Sequence, residues 1–121
     1  MTTGFFSVPP ECTVQQALEA LRQEAGDLDV LYYVYVEDAI GKLLGVVSLR
    51  EILVADPKDR LESIMTTRLV SVNLDADKDD IAELFAKYWL RAIPVVNGLG
   101  RIHGVVRFKT LLEVVVPHSG R

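Results

Sequence analysis

The sequence is short of cysteine, of basic charge and of long apolar runs, and each shortage excludes a class of protein. It has one cysteine, Cys12, which cannot form an internal disulfide, so an oxidised secreted scaffold is disfavoured. The net charge is −4 at pH 7, whereas general nucleic-acid binders carry a basic excess. The longest apolar runs, such as 43–47, fall far short of the ~20 residues that span a bilayer. We therefore expect a cytoplasmic domain with no nucleic-acid partner and no direct membrane insertion.

Motifs that would indicate an enzyme are also missing. Neither the phosphate-cradling GxxxxGK[ST] pattern nor GxGxxG occurs anywhere in the chain. Cys12 precedes a predicted helix without a supporting motif, and no serine has a recognisable catalytic partner. The sequence therefore predicts a protein that is not an enzyme.

The chain instead contains an internal repeat. Residues 1–3 recur as 65–67 with an offset of 64, and residues 41–47 align with 100–106 with an offset of 59. The difference between the offsets fits an insertion of five residues in the first copy, near the polar stretch 24–29. We define repeat 1 as residues 1–64 and repeat 2 as residues 65–121.

Each repeat predicts the same order of elements, β-α-β-β-α, and hence an α/β (α+β) fold. About 60 residues are marginal for a core of their own, so we expect the repeats to pack together with pseudo-twofold symmetry. Such packing leaves clefts between the repeats, where small ligands usually bind. The predicted strands cover 5–8, 30–36 and 42–48 in repeat 1, and 69–72, 93–96 and 101–107 in repeat 2; the predicted closing helices cover 49–55 and 108–116.

Several segments of the sequence resemble a tandem cystathionine-β-synthase (CBS) domain, also called a Bateman module. They are 34–36 and 41–53 in repeat 1, and Ile93-Pro94-Val95-Val96 with Gly104-Val105-Val106 in repeat 2. Within that superfamily the chain is most similar to the cytosolic CBS pair of MgtE-type magnesium transporters. The segments that carry this likeness are 45–51, 63–67 and 75–80.

The resemblance implies a regulatory module that senses Mg²⁺, forms a homodimer, and works with the transmembrane and N-terminal domains of a parent transporter on the cytosolic side of the inner membrane. The alternative is a free-standing CBS protein that senses adenine nucleotides and regulates a separate partner. Residue 1 occupies the position at which repeat 2 also begins, so we expect the chain to be a fragment of a longer protein.

An acidic run provides the candidate metal ligands, which are Asp75, Asp77, Asp79 and Asp80. An EF-hand loop that began at Asp75 would need glycine at its sixth position and glutamate at its twelfth, but these are Asp80 and Ala86. A magnesium site remains open, because Mg²⁺ prefers oxygen ligands and keeps most of its waters. The alternative is that these residues cap a helix and favour its dipole, with Asp77 as the N-cap.

The resemblance also implies a nucleotide site, for ATP, ADP or AMP, at the junction between the last strand and the closing helix. CBS pairs commonly carry Thr/Ser-x-x-Asp there, with the hydroxyl toward phosphate and the carboxylate toward ribose. Repeat 1 reads Ser48-Leu49-Arg50-Glu51, whereas 107–110 in repeat 2 lacks the carboxylate. The alternatives are an ordinary N-cap for Ser48 and strand packing for Tyr33. The candidate nucleotide-binding residues are Tyr33, Ser48, Glu51, Arg91, Ile93, Pro94, Arg107 and Thr110.

Overall fold

A computed structural model describes residues 5–24 and 33–109 of the chain. These residues form two three-stranded sheets with helices between the strands. No helix in the described ranges has the length and apolar character needed to cross a membrane. In chain order the elements are β1 (Phe6–Val8), α1 (Val14–Gln23), β2 (Tyr33–Glu37), β3 (Leu43–Ser48), α2 (Leu49–Val54), α3 (Leu61–Ile64), β4 (Val72–Asn73), α4 (Lys78–Tyr88), β5 (Ala92–Val96) and β6 (Ile102–Arg107).

The two sheets have the same topology. In repeat 1, β1 runs parallel to β2, and β2 runs antiparallel to β3; β4, β5 and β6 repeat this arrangement. Both β2 and β5 shift register near their ends, at Val36/Glu37 and Val95/Val96. The predicted α/β fold of two related units is confirmed. The predicted segments 30–32 and 110–116 lie outside the described residues.

Helix N-caps fix where the helices begin. Thr13 and Gln16 form a reciprocal capping box at α1, since each side chain accepts a hydrogen bond from the other residue's backbone N–H. Asp77 caps α4 by accepting a hydrogen bond from the backbone N–H of Asp80 at 2.9 Å. These caps stand where short polar side chains precede an apolar periodicity, so the helix starts could be predicted from sequence.

The two hairpin turns are built alike and meet at the pseudo-twofold axis. A side-chain oxygen of Asp38 accepts from two backbone N–H groups of its turn, and Asn97 does the same in repeat 2. Each turn then uses a glycine with positive φ, 89° at Gly41 and 80° at Gly100. The backbone N–H of Leu43 donates to the carbonyl of Gly100 at 2.9 Å, and that of Ile102 donates to Gly41 at 3.1 Å. These two reciprocal hydrogen bonds join the repeats in the pseudo-twofold arrangement that the sequence predicts.

Three clusters of apolar side chains form the core. One lies within repeat 1, around Val34 and Ile52, and another lies within repeat 2, around Phe85 and Ile93. The third joins the two sheets and contains Tyr35, Leu43, Ala92 and Val105, with Phe5 and Leu69 at its margin. The interface between the repeats is therefore an apolar layer that neither repeat could bury alone.

The short helix α3 was not predicted. One turn is too short to show a helical periodicity, and its N-cap, Arg60, provides no side-chain hydrogen bond. Tertiary contacts hold it instead, because Leu61 is fully buried and its N–H donates to the carbonyl of Cys12 at 2.8 Å. The end of repeat 1 is thereby held against the residues that precede α1.

Candidate functional site

A cleft of about 230 Å³ opens between the repeats at the end of β3. Residues from both repeats form its walls, and most of them are apolar. Its polar side chains include those of Ser48, Glu51, Thr66 and Arg68. The remaining lining residues are Tyr33, Tyr35, Val46, Leu69, Val70, Leu90, Ala92 and Pro94.

Backbone pairing brings the segment 66–70 to this cleft. Val46 and Thr66 exchange two hydrogen bonds, with the N–H of Val46 donating at 3.0 Å and that of Thr66 at 2.9 Å. The close approach depends on Gly45, since a Cβ there would stand 2.5 Å from Sδ of Met65 and 3.0 Å from the carbonyl oxygen of Thr66. The start of repeat 2 therefore forms a wall of a site whose strand-to-helix junction belongs to repeat 1.

Ser48 and Glu51 cap α2 and line the cleft at the same time. The N–H of Glu51 donates to Oγ of Ser48 at 3.1 Å, and the N–H of Ser48 donates to Oε1 of Glu51 at 2.9 Å. The N-cap alternative for Ser48 is therefore correct as local structure. It does not exclude a ligand, because the serine hydroxyl can still donate and the second carboxylate oxygen can still accept.

Two tyrosines on β2 differ in their surroundings. The hydroxyl of Tyr33 accepts a hydrogen bond from the N–H of Arg91 at 3.2 Å, which links β2 to the start of β5. Tyr35 is only 3% exposed, and its hydroxyl has no hydrogen-bond partner in the described structure. Burial, and to a smaller degree the neighbouring Tyr33, raises the pKa of Tyr35 well above its ordinary value. Tyr35 therefore stays a neutral hydroxyl near neutral pH.

The structure brings only some of the predicted nucleotide-binding residues together. Tyr33, Ser48, Glu51 and Pro94 line the cleft. The side chain of Ile93 does not, because it is fully buried in the core of repeat 2. Its alternating position on β5 points it away from the face that carries Pro94.

Three further candidates do not line the cleft. Arg91 is exposed, and its hydrogen bond to the hydroxyl of Tyr33 is donated by its backbone N–H. Arg107 ends β6 at the position that matches Ser48 across the repeat, so it lies at the mirrored junction. Thr110 lies outside the described residues.

Sequence reasoning missed the second wall of the cleft. Among the described lining residues, Arg68 is the one with a cationic side chain. Leu69, Val70 and Leu90 add apolar surface. The signal was available in the repeat itself, since 65–67 matches 1–3 and so marks a segment that both copies retain. What sequence could not provide is the pairing of Thr66 with Val46 across the repeats.

The four predicted metal ligands lie on an exposed surface at the start of α4. All four side chains are exposed, and Asp77 uses one oxygen to cap the helix. Within the described ranges, no three side chains of His, Cys, Asp or Glu converge closely enough to hold an ion. The helix-cap alternative describes Asp77 correctly, and a magnesium site at Asp75, Asp77, Asp79 and Asp80 would need ligands from elsewhere.

Comparison with known proteins relates the chain to one family. The profile of the CBS domain matches residues 1–58 and 61–117. The chain is 40% identical over 115 residues to the magnesium transporter MgtE of Thermus thermophilus, covering 95% of this chain and 26% of the transporter. It is 33% identical over 115 residues to MgtE of Enterococcus faecalis, covering 95% of this chain and 25% of that protein. The chain spans about a quarter of the length of these relatives.

A solved structure of an MgtE cytosolic domain is similar to this chain in fold as well as in sequence. The cytosolic domain of the Mg²⁺ channel MgtE in complex with ATP superposes with a TM-score of 0.91 at 40% identity. The match covers 95% of this chain and 46% of that one. The predicted resemblance to a tandem CBS domain, and to the MgtE cytosolic region in particular, is confirmed.

Proposed function

The chain belongs to the CBS domain family and carries two copies of that domain, and from this premise we propose that it is the regulatory, non-catalytic part of a magnesium transporter and binds an adenine nucleotide in the cleft between its repeats. The observation that carries the proposal is the cleft itself. It combines apolar walls with a hydroxyl, a carboxylate and a guanidinium within one concave surface. Ligand sites commonly have this composition, in which a few polar groups orient a ligand that apolar surface holds.

The apolar walls suit a purine. Leu69, Val70, Leu90 and Pro94 offer aliphatic surface, and Tyr33 offers an aromatic one. A flat heterocycle that packs its faces against these walls would remove apolar surface from water. The base therefore belongs between the start of repeat 2 and the strands of the interface.

The polar residues suit a ribose phosphate. Glu51 has a carboxylate oxygen left over from the capping box, which can accept hydrogen bonds from the ribose hydroxyls. The hydroxyl of Ser48 and the guanidinium of Arg68 are donors, and Arg68 supplies the positive charge that phosphate needs. The residues present thus fit an adenine nucleotide such as ATP, ADP or AMP, and the match to an MgtE cytosolic domain in complex with ATP supports the assignment.

Isothermal titration calorimetry with ATP, ADP and AMP tests the nucleotide site. Wild-type chain should bind at least one of them, and Glu51→Ala should abolish binding because the ribose hydroxyls lose their acceptor. Glu62→Ala is the matched control, since Glu62 is an exposed carboxylate in the short helix α3 and lies away from the cleft residues. Unaltered affinity in Glu51→Ala would reject the assignment, as would silence of the wild type with all three nucleotides.

The magnesium part of the proposal depends on residues outside one chain. The acidic surface at Asp75, Asp77, Asp79 and Asp80 would bind Mg²⁺ together with a second copy of the chain or with another domain of the parent transporter. Clustered carboxylates repel one another, and a divalent cation relieves that repulsion. We expect Mg²⁺ to raise the melting temperature of an assembled dimer, and replacement of the four aspartates by Asn to remove that rise. An unchanged rise in the Asn variant would move the site elsewhere.

The proposed partners are a second copy of this chain and the transmembrane and N-terminal domains of the parent transporter, on the cytoplasmic side. Leu53 and Val54 on α2 are apolar and 65% and 79% exposed, which suits a helix-face contact with a second copy. Sedimentation equilibrium tests the dimer, with Leu53→Ser as the variant that should shift it toward monomer.

The alternative function is a free-standing sensor of adenine nucleotides. One observation favours it, namely that the described residues of one chain form a concave cleft, whereas no three metal-ligating side chains among those residues converge. Tight AMP binding together with no response to several-fold excess Mg²⁺ would support this alternative over the transporter role.

A further inference from the structure

The two hairpin turns carry exposed aliphatic side chains at equivalent positions. Ile40 is 64% exposed and Leu99 is 69% exposed, and each directly precedes the glycine with positive φ in its turn. Turns are usually formed by Gly, Pro, Asn, Asp and Ser, so the turn itself does not require an aliphatic residue there. Because backbone hydrogen bonds join the two turns, both side chains belong to one end of the molecule.

Two cations stand beside these aliphatic side chains. Lys42 and Arg101 are exposed and lie opposite each other in an antiparallel bridge that joins the repeats. Like charges that face each other across a strand pair are destabilising. Within the described ranges, neither cation forms an ion pair, so the charge of both is available to a partner. The surface that we call the turn patch consists of Ile40, Lys42, Leu99 and Arg101.

A groove with the opposite charge lies next to the turn patch. It has a volume of about 380 Å³ and is formed by residues 7–11 and 37–39. Its carboxylates are those of Glu11, Glu37 and Asp38, and the rest of its lining is mostly apolar. In the part of the chain that the structure describes, these carboxylates neither converge on a metal site nor pair with a basic side chain. We call this surface the acidic groove.

The turn patch and the acidic groove complement each other. The patch offers protruding aliphatic side chains flanked by cations, and the groove offers a concave, largely apolar surface flanked by carboxylates. Charge-assisted hydrogen bonds between arginine or lysine and carboxylate would add to the apolar contact. An anionic membrane would also meet the cations of the patch, but it would bring its phosphates against the carboxylates of the groove. The charges therefore favour a protein surface.

Both halves of such a contact are present on one chain and share a border. Ala39 lines the groove, and Ile40 of the patch follows it directly. A twofold contact between identical chains needs one surface that carries both complementary halves. With the twofold axis close to Ile40, the turns of each copy would enter the groove of the other.

We propose that the turn patch and the acidic groove form a self-complementary contact between two copies of this chain. It is separate from the helix face at Leu53 and Val54. It is also separate from the nucleotide cleft, which lies at the other ends of β2 and β3 and contains Tyr33 and Ser48. Together with a helix-face contact, it would assemble the chains beyond a dimer, into a closed tetramer or an open row.

Sedimentation equilibrium on the Leu53→Ser chain tests this contact alone, because that variant removes the proposed helix-face contact. The chain should still dimerise, and more weakly at high salt. Reversal of the patch in Lys42→Glu/Arg101→Glu should raise the dissociation constant by about ten-fold or more, since like charges would then meet across the contact. The matched control is Arg22→Glu/Lys87→Glu, which makes the same charge change in the last turns of α1 and α4 and should leave the dimer unaltered.

Complementation identifies the groove as the partner surface. Glu11→Lys/Glu37→Lys alone should also weaken the dimer, and an equimolar mixture with the reversed-patch chain should recover it to within a few-fold. The reversed patch keeps a like-charge pair across the bridge, so its melting temperature in dilute solution should match that of the parent. A monomeric parent, a dimer that is insensitive to patch reversal, or a mixture without recovery would overturn the proposal. Sedimentation of a monomeric parent with phosphatidylglycerol vesicles would assign the patch to a membrane and overturn it as well.

Discussion

Repeat 1 and repeat 2 share their backbone but differ where β3 and β6 end. Both repeats use the same strand order, the same register shift and the same turn with a glycine at positive φ. At the end of the last strand, however, repeat 1 has Ser48 in a capping box, and repeat 2 has Arg107, whose Nε is buried with no hydrogen-bond partner among the described residues. The turns that the repeats share also pair with each other across the repeats, whereas the junction, which differs, gives each side its own polar groups.

The largest effect is expected at matched core positions. Ile93 and its counterpart Val34 are both fully buried. Ile93→Ala should lower the free energy of unfolding by about 2–5 kcal/mol, because it removes buried methyl groups and leaves a cavity. Ile93→Val, which copies repeat 1, should cost only about 0.5–1.5 kcal/mol. Urea denaturation measures both, and an equal loss in the two variants would contradict the cavity argument.

The second-largest loss of stability is expected where β3 of repeat 1 pairs with Thr66 of repeat 2. Gly45→Ala places a Cβ against Met65 and the carbonyl of Thr66, so it should destabilise the chain by about 1–3 kcal/mol through overpacking. The matched control is Gly98→Ala, because a Cβ there meets nothing within 4 Å and its φ is not positive. Thermal denaturation should show a clear fall in melting temperature for the first variant alone. Equal melting temperatures would mean that the Val46–Thr66 pairing is looser than described.

The helix cap of repeat 1 should contribute less. Ser48→Ala removes the acceptor for the N–H of Glu51, at a cost of about 1 kcal/mol. It should also weaken nucleotide binding, whereas Glu62→Ala should change neither property. Chemical denaturation and calorimetry on the same samples separate the two effects. A variant that loses the stability of the cap but binds nucleotide normally would remove Ser48 from the site.

The smallest effect is expected at the turns. Asp38→Asn makes the repeat 1 turn identical in type to the Asn97 turn, and the oxygen that accepts from Ile40 and Lys42 is retained. The free energy of unfolding should therefore change by less than about 0.5 kcal/mol. Asp38→Ala, which removes the acceptor, should cost more. If the two variants lost the same stability, the side-chain oxygen would not hold the turn.

Sequence patterns predicted the parts of this molecule that local chemistry determines. The caps at Thr13 and Asp77 follow from polar side chains ahead of apolar periodicity, and the repeat predicted the pairing of two similar units. The resemblance to CBS pairs singled out Ser48 and Glu51, which line the cleft between the repeats; their contact with a ligand stays a prediction. The helix α3 and the pairing of Thr66 with Val46, which brings Arg68 to the cleft, could not be predicted, since both depend on contacts between segments that are distant in sequence. The core position of Ile93 also escaped prediction, because the motif did not show which face of β5 lines the cleft.

In the proposed function, the junction of repeat 1 holds an adenine nucleotide together with the start of repeat 2. Mapping of amide chemical shifts during a titration with ATP tests it most directly. The largest shifts should fall on residues 48–51 and 66–70, with small shifts at the start of α4 near Asp77. Shifts confined to other surfaces, or no shifts at saturating ATP, would contradict it.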